Sequence, residues 1–304
     1  MDKMRKIKKV IKGRPVLEGA GVRLKRLFGF NKGSEFDPFL LLDDFRADNP
    51  RDYEKGFPWH PHRGIETITY MLEGRAEHGD SMGNQGVIGP GDVQWMTAGS
   101  GIIHQEMPKG DAEGRMGGFQ LWANLPASQK MMDPRYRGIR SDQIPQVSLE
   151  GGVTVRVISG QIRGARGPVR DIVTDPEYLD VTVPAGTELI RPTAPGHTVF
   201  AYVIEGKAFF CKEKNPFTYK VEGTNYFDLQ REPFMTSGNL VLFDDGEEIF
   251  VSTGDDPARF LLVSGRPLRE PVAWFGPIVM NTEEELQTAF DEYRDGTFIK
   301  QRPT

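Results

Sequence analysis

The chain has 304 residues, of which 38% are hydrophobic and 27% are charged, and its formal net charge is -5. This balance indicates a globular protein of one large or two medium domains, without a positive field that would attract nucleic acid or anionic membrane. Cys211 is the single cysteine, which excludes an intramolecular disulfide and favours a reducing compartment. The 35 glycines and 22 prolines interrupt helices, so many short strands are expected.

The N-terminal segment is basic but carries no sign of a targeting signal. Seven lysines and arginines lie within residues 1–14, and Ile7, Val10 and Ile11 break the charges as in a first strand or a solvated arm. The apolar run of a signal peptide does not follow, and no stretch approaches the roughly 20 apolar residues of a membrane span. We therefore expect a cytoplasmic protein that contacts neither nucleic acid nor membrane.

Apolar runs in the first half predict a series of buried strands. Residues 39–45 and 67–72 are rich in leucine, β-branched and aromatic residues, and residues 116–126 form a further run that a proline closes. Glycines recur between Gly79 and Gly91, a spacing that favours hairpins and bends. A phosphate-binding loop is excluded, because no Gly-Lys-Ser or Gly-Lys-Thr run occurs in this region.

Three of the five histidines lie in two short segments of this half. His60 and His62 are two residues apart, and so are His104 and Glu106. Because residues i and i+2 of a strand point to the same face, each pair would present two donors to one side of a sheet. Two such strands side by side would supply three imidazoles and one carboxylate, which predicts a metal site.

The donor set leaves the metal open. Imidazole and carboxylate ligands without a thiolate suit Fe(II), Mn(II), Ni(II), Cu(II), Co(II) or Zn(II). Four protein ligands on an octahedral ion leave two positions for oxygen and a chelating substrate, whereas a closed tetrahedron would be a structural zinc site. The two remaining histidines, His78 and His197, are each expected to be hydrogen-bonded structural residues.

The second half repeats the architecture of the first at low identity. Strands are predicted over residues 153–159, 179–183 and 240–243, and the run Tyr202–Gly206 matches Tyr70–Gly74. Superposing the two runs places Pro192 and Ala194 at the positions of His60 and His62. The second copy is therefore predicted to lack the ligands.

A polar, proline-containing region over residues 128–145 is the predicted domain boundary. It predicts a metal-binding domain over residues 1–132 and a second domain without ligands over residues 133–304. The second domain would end in a helix, with Thr282 and Glu285 forming a capping box. The apolar stripe of that helix contains Leu286, Ala289, Phe290 and Tyr293, and Gly296 would end it.

These motifs together resemble the pirin family of the cupin superfamily. The matching runs are His60–Thr67, Gln94–Glu106, Gln120–Pro126 and Gly276–Thr282, and they are distributed over nearly the whole chain. The resemblance implies an all-β fold of two cupin-type antiparallel β-barrels, a bicupin, with a C-terminal helix. It also implies an iron site held by His60, His62, His104 and Glu106.

The resemblance further implies a function. Some pirins oxidatively open the flavonol quercetin, so a metal-dependent dioxygenase acting on a small flavonol-like aromatic substrate is expected, with Glu106 as both ligand and base. Other pirins act as redox-sensing regulators, so a non-enzymatic protein that binds a protein partner is the alternative. An isomerase is the weakest candidate, because only one basic residue, Arg63, lies near the ligands.

Several neighbouring residues receive expectations of their own. Glu66 is expected to pack behind the ligands rather than bind the metal, and Arg63 to form a salt bridge with Glu66 or to orient an anion. The candidate walls of a substrate slot are Trp95, Met96, Met107, Phe119 and Trp122. Packing in the barrel core is the favoured interpretation for these five side chains.

Overall fold

A computed structural model of the protein describes residues 3–30, 35–172, 174, 176–223 and 231–300. These residues form many short strands, together with a single α-helix near the C-terminal end of the described chain. The expectation of a mainly β protein with one C-terminal helix is confirmed.

Short strands follow one another along most of the chain. The first strands are β1 (Ile7–Lys12), β2 (Arg14–Glu18), β3 (Val22–Phe28), β4 (Phe39–Asp44), β5 (Phe57–His62), β6 (Ile65–Glu73), β7 (Arg75–Asp80), β8 (Gln85–Ile88), β9 (Val93–Thr97), β10 (Ile102–Lys109), β11 (Gly117–Asn124) and β12 (Arg135–Ile139). They are followed by β13 (Gln146–Ser148), β14 (Thr154–Ser159), β15 (Gln161–Ile162), β16 (Ala165–Arg166), β17 (Glu177–Val183), β18 (Glu188–Pro192), β19 (Thr198–Ala208), β20 (Lys220–Glu222), β21 (Met235–Thr236), β22 (Asn239–Phe243), β23 (Glu248–Ser252) and β24 (Ala258–Gly265). The last elements are β25 (Ala273–Phe275), β26 (Ile278–Met280) and α1 (Glu283–Arg294), and short 3-10 turns lie at Pro50–Asp52, Ala127–Gln129, Ser141–Gln143 and Glu150–Gly152.

The chain forms two compact units, and neither is a continuous half of the sequence. The first barrel contains residues 15–143 and 268–304, and the second barrel contains residues 1–14 and 144–267. These units differ from the predicted domains 1–132 and 133–304. Strand β1 pairs with β20 and β22 of the second barrel, and β12 pairs with β9 of the first. The C-terminal helix also belongs to the first barrel, because its apolar face packs there and not in the second barrel, which it follows along the chain.

Two sheets build the first barrel. One has the strand order β12-β9-β6-β11-β4-β3-β2, and the other has the order β5-β10-β7-β8. Every second residue of each strand faces the interior, because successive side chains of a strand point to opposite faces. Thr69 of β6 and Gln120 of β11 are cross-strand partners, and both line a cavity in the interior of this barrel.

The second barrel is filled by its own apolar side chains. Its main sheet has the order β13-β14-β17-β24-β19-β22-β1-β20, with β21 on β19, and β18 pairs with β23. Phe210, Phe243 and Phe260 occupy the core, together with the valines and leucines of the surrounding strands. Pro192 ends β18. Among the described residues, both groups of histidines and carboxylates that could hold a metal lie in the first barrel.

Helix α1 begins and ends close to the predicted positions. The side chain of Thr282 accepts from the backbone N–H of Glu285, and the carboxylate of Glu285 accepts from the backbone N–H of Thr282. The capping box is therefore present. Leu286 and Ala289 are buried, whereas Tyr293 is 41% exposed. Helix α1 is the one α-helix of the described residues, and at 12 residues it is too short and too polar to cross a bilayer.

Candidate metal centre

Two antiparallel strands bring the predicted histidines together. His60 and His62 lie on β5, and His104 of β10 is the direct partner of His60. The register then shifts, so that Glu106 pairs with Phe57 and β5 carries one extra residue between the two pairs. Bulges of this kind re-aim side chains and are frequent beside active sites.

Hydrogen bonds fix which ring nitrogen each β5 histidine offers. Nδ1 of His60 lies 2.8 Å from the carbonyl oxygen of Pro58, and Nδ1 of His62 lies 3.0 Å from that of Pro277. A carbonyl oxygen only accepts, so each Nδ1 carries the proton and each Nε2 keeps a lone pair. The two Nε2 atoms face each other at 3.1 Å. Two lone pairs at this distance repel unless a cation lies near both.

His104 completes the cluster from the neighbouring strand. Its ring centroid lies 4.4 Å from that of His60 and 5.0 Å from that of His62. The side chain is 1% exposed, and neither of its ring nitrogens has a hydrogen-bond partner. An unpaired buried polar atom costs about 1–3 kcal/mol, and a bound cation would remove that cost. The three imidazoles therefore fit a metal ion.

The protonation of these rings agrees with such a role. Burial, together with the neighbouring His60, lowers the pKa of His62 to about 3. Burial and the three surrounding imidazoles hold the pKa of His104 well below its usual range. Both rings are therefore neutral near pH 7, which is the form in which imidazole binds a metal.

Glu106 lies at the same end of the barrel but is not grouped with the two β5 histidines. Its Oε1 accepts from Nε2 of Gln94 at 2.6 Å and from Oγ1 of Thr69 at 3.2 Å. The groups of ligand atoms that lie within 4.8 Å of one another are His60, His62 and His104, and separately His78, His104 and Glu106. His104 is the residue that joins the two groups.

His78 is closer to the site than the sequence indicated. It is the direct partner of Glu106 across the β7–β10 pair, and its Nε2 lies 3.2 Å from Oδ2 of Asp80. That contact agrees with a hydrogen-bonded histidine. However, Nδ1 has no partner, and the ring stacks on Tyr136 with centroids 4.5 Å apart. The spacing of His78 and Asp80, again two residues apart on a strand, was the available signal.

Glu66 and Arg63 differ from their expected arrangement. Glu66 is fully buried and accepts from Oγ1 of Thr97 at 2.8 Å, on the face of β6 opposite to that of Thr69. Arg63 pairs with Glu292 of α1 at 2.7 Å instead of with Glu66. The expected Arg63–Glu66 salt bridge is therefore wrong.

An interior cavity of about 570 Å³ opens beside the histidines. Of the five candidate wall residues, Trp122 lines it, whereas Trp95, Met96, Met107 and Phe119 do not. The sequence did not indicate the other apolar walls, which come from strands remote in the chain. They include Leu24, Leu41, Phe57 and Met71.

His197 lies in the second barrel, and the described residues place it in neither candidate metal group. Burial lowers its pKa, and the nearby Arg5 and Arg266 lower it further. A lone imidazole beside two guanidinium groups is poorly suited to bind a cation.

The architecture and the histidine site together define a bicupin, a protein of two cupin domains, in which one barrel carries the donors for a metal ion. The chain belongs to the pirin family: the Pirin domain matches residues 21–123, and the Pirin C-terminal cupin domain matches residues 178–299.

Individual relatives extend the match over almost the full chain. A pirin-like protein of Caulobacter vibrioides is 46% identical over 296 residues, which cover 97% of this chain and 99% of the relative. Human pirin is 39% identical over 298 residues, covering 97% of this chain and 94% of that protein. The crystal structure of a quercetin 2,3-dioxygenase from Acinetobacter baumannii superposes with a TM-score of 0.83 at 30% identity, covering 97% and 98% of the two chains.

Proposed function

We propose that the protein is a metal-dependent dioxygenase that oxidatively opens a flavonol such as quercetin. The observation that carries the proposal is the pair of Nε2 atoms of His60 and His62, which face each other at 3.1 Å beside an interior cavity. The similarity to a quercetin 2,3-dioxygenase supports the reaction type.

The ligands in this proposal are His60, His62, His104 and Glu106, and Fe(II) is the proposed ion, with Mn, Ni, Cu, Co or Zn as the other candidates. The imidazoles of His62 and His104 are neutral, as metal binding requires. Both hydrogen bonds of Glu106 end on Oε1, which leaves Oε2 to bind the ion or to accept a proton.

The cavity suits a flat aromatic substrate. Its volume, about 570 Å³, lies within the range of roughly 300–1,000 Å³ of small-molecule sites. Trp122 packs edge-on against His62, with ring centroids 5.0 Å apart, so an aromatic wall stands directly beside the proposed ligands. The polar groups beside the histidines would orient a flavonol with its hydroxyl-ketone edge toward the proposed ligands.

The chain's own residues would carry out the proton chemistry. A bound iron would supply the Lewis acidity and the redox chemistry with oxygen. Glu106 would take the proton of the flavonol hydroxyl, because a carboxylate within hydrogen-bond reach of an acidified hydroxyl is a competent base. Gln94 and Thr69 donate to Glu106 and so hold it in place.

A regulatory role is the second candidate, and one observation favours it. Trp59, next to His60 in the chain, is 53% exposed. A change in the oxidation state of a bound metal could alter this surface, and a protein partner could recognise the change. Such a protein would bind metal at the same residues but would not consume flavonol.

The test combines metal analysis with turnover. The purified protein is loaded with Fe(II) without oxygen, and the loss of flavonol absorbance is followed after quercetin and oxygen are added. We expect turnover in the wild type, and loss of both metal and turnover in His62→Ala. His197→Ala is the matched control and should keep both. A wild type that is full of metal but inactive would exclude the dioxygenase, and full metal binding by His62→Ala would exclude the ligand assignment.

A further inference from the structure

A second polar group lines the cavity, away from the histidines. Nε and Nη2 of Arg26 donate to Oδ1 and Oδ2 of Asp43 at 2.9 and 2.7 Å. Nη1 of the same guanidinium lies 2.7 Å from Oε1 of Glu18. All three residues line the cavity, and we refer to them as the acid–arginine cluster.

The strand register shows where this cluster lies relative to the metal centre. Arg26 of β3 is opposite Asp43 of β4, Asp43 is opposite Gln120 of β11, and Gln120 is opposite Thr69 of β6. Neighbouring strands are about 4.8 Å apart, so Asp43 lies about 10 Å along the wall from Thr69. Thr69 in turn donates to Glu106. The acid–arginine cluster and the proposed ligands therefore occupy two ends of one cavity.

The composition of the cluster determines what it can bind. Asp43 has a side chain that is 5% exposed, and Arg26 satisfies one lone pair on each of its oxygens. A carboxylate oxygen has a further lone pair, so Asp43 can still accept from a ligand. Two carboxylates share one guanidinium, which makes the cluster anionic when both are ionised. It therefore favours a neutral hydrogen-bond donor over a carboxylate or sulfate.

We propose that Asp43, held by Arg26 and assisted by Glu18, accepts hydrogen bonds from hydroxyl groups on the substrate ring remote from the metal. This inference rests on the proposed function and narrows its substrate class to flavonols hydroxylated on that ring, of which quercetin is one. A flavonol with an unsubstituted remote ring would lose these bonds, and a methylated one would offer the cluster no donor.

Asp43→Asn tests the inference, because Arg26 offers only donors. The carboxamide can offer Arg26 only one oxygen, and its NH2 group replaces the other, so that position can no longer accept from Arg26 or from a ligand. We expect the dissociation constant for quercetin to rise about tenfold, and that for a flavonol unsubstituted on the remote ring to change less than about twofold. Binding is measured at pH 8 without oxygen, by quenching of tryptophan fluorescence.

Asp44→Asn is the matched control. Asp44 follows Asp43 on β4 but points to the opposite face, is 2% exposed, and accepts from Nε and Nη2 of Arg46. Its replacement removes an equally buried, arginine-paired carboxylate without touching the cavity, so both flavonols should bind as in the wild type. If Asp43→Asn does not fold, Glu18→Gln at a 40% exposed position should show the same selective weakening to a smaller extent.

The outcomes separate this inference from the function on which it rests. Equal effects of Asp43→Asn on both flavonols, or no effect on either, would overturn the recognition role, even with turnover intact in the wild type. Selective weakening in a protein that never consumes quercetin under oxygen would support recognition and refute the dioxygenase. A metal-loaded wild type that binds neither flavonol would overturn both.

Discussion

Each of the two β5 imidazoles is oriented by a backbone carbonyl of its own. Pro58 and Pro277 accept the Nδ1 protons of His60 and His62, which turns both Nε2 lone pairs toward the same point. A hydrogen bond from the second ring nitrogen to such an acceptor orients a metal-binding histidine and raises its basicity. The site is thus preorganised by groups that no ligand motif contains.

Glu66 provides a prediction of pH-dependent stability at the residue scale. Burial raises its pKa to about 7, against partial lowering by Thr97 and two nearby arginines. A carboxyl whose folded pKa is raised stabilises the protein below its unfolded pKa of about 4.3, and this contribution is lost as pH rises through about 7. Between pH 5 and pH 8 the wild type should therefore lose about 2 kcal/mol relative to Glu66→Gln.

Urea unfolding of the two proteins at both pH values measures this difference. Other buried carboxyls, such as Asp43 with its pKa raised to about 6, cancel in the comparison because both proteins contain them. The metal content is kept equal by chelation. An energy difference that stays constant from pH 5 to pH 8 would show that Glu66 does not titrate in this window.

At the scale of elements, the C-terminal segment completes the first barrel. Pro277, whose carbonyl holds His62, lies 215 residues further along the chain. Arg63 donates to the carbonyl oxygen of Phe298 at 3.0 Å and pairs with Glu292. Lys130 donates to the carbonyl oxygens of Gly64 and Val279, at 2.9 and 3.2 Å. Strand β26 and helix α1 therefore support the turn that follows His62.

Gly64 makes this dependence testable. Its φ is +78°, and a Cβ at this position would lie 1.9 Å from the carbonyl oxygen of Val279. We expect Gly64→Ala to displace β26 and with it the carbonyl that orients His62. The loss of such an orienting contact weakens metal binding about 10–100-fold. Isothermal titration with Zn(II) or Ni(II) measures the change.

Gly83→Ala separates the steric effect from backbone strain. Gly83 also has a positive φ, +89°, but nothing lies within 4 Å of a Cβ built there. Both variants place alanine in a left-handed conformation, so the backbone strain is common to the two. The clash is present only in Gly64→Ala, and it should lower the free energy of unfolding by about 2 kcal/mol more than in Gly83→Ala. Metal affinity in Gly83→Ala should equal that of the wild type. Equal losses of affinity in both variants would contradict the role given to β26.

Local rules account for what the sequence predicted, and distant pairing accounts for what it missed. His60 and His62 share a face because strand residues alternate, and α1 begins at Thr282 because the capping box is local. The partner of Arg63 could not be predicted, because Glu292 is brought to it by the docking of α1. The position of β1 in the second barrel likewise depends on its pairing with the distant strand β22, which the residues of β1 alone do not predict.

For the molecule as a whole, the two barrels have different interiors. Tyr70 of β6 and Tyr202 of β19 are both fully buried in corresponding runs. In the first barrel, the interior holds the cavity and the histidines, whereas in the second it is closed by phenylalanine and valine. A barrel filled with apolar side chains gains stability from burial alone, and it needs no ion. The second barrel is thus expected to be structural.

This division predicts where a metal ion stabilises the protein. A ligand at a hundred times its dissociation constant stabilises the unit that binds it by about 2.7 kcal/mol. Amide hydrogens of the first barrel that exchange only through its unfolding should then exchange about a hundredfold more slowly. Those of the second barrel should be unchanged. Hydrogen-exchange mass spectrometry of the full chain, with and without the ion, measures both sets in one experiment.

The strand pairs β5–β10 and β18–β23 give matched readouts, because they occupy corresponding places in the two barrels. His62→Ala should abolish the protection of β5 and β10 by the ion, which ties the effect to the proposed site. Equal protection of β18 and β23 on metal binding would show that the barrels unfold as one cooperative unit. In that case the second barrel would stabilise the metal site through global folding, and substitutions in its core, such as Phe260→Ala, should weaken metal binding in partly denaturing urea.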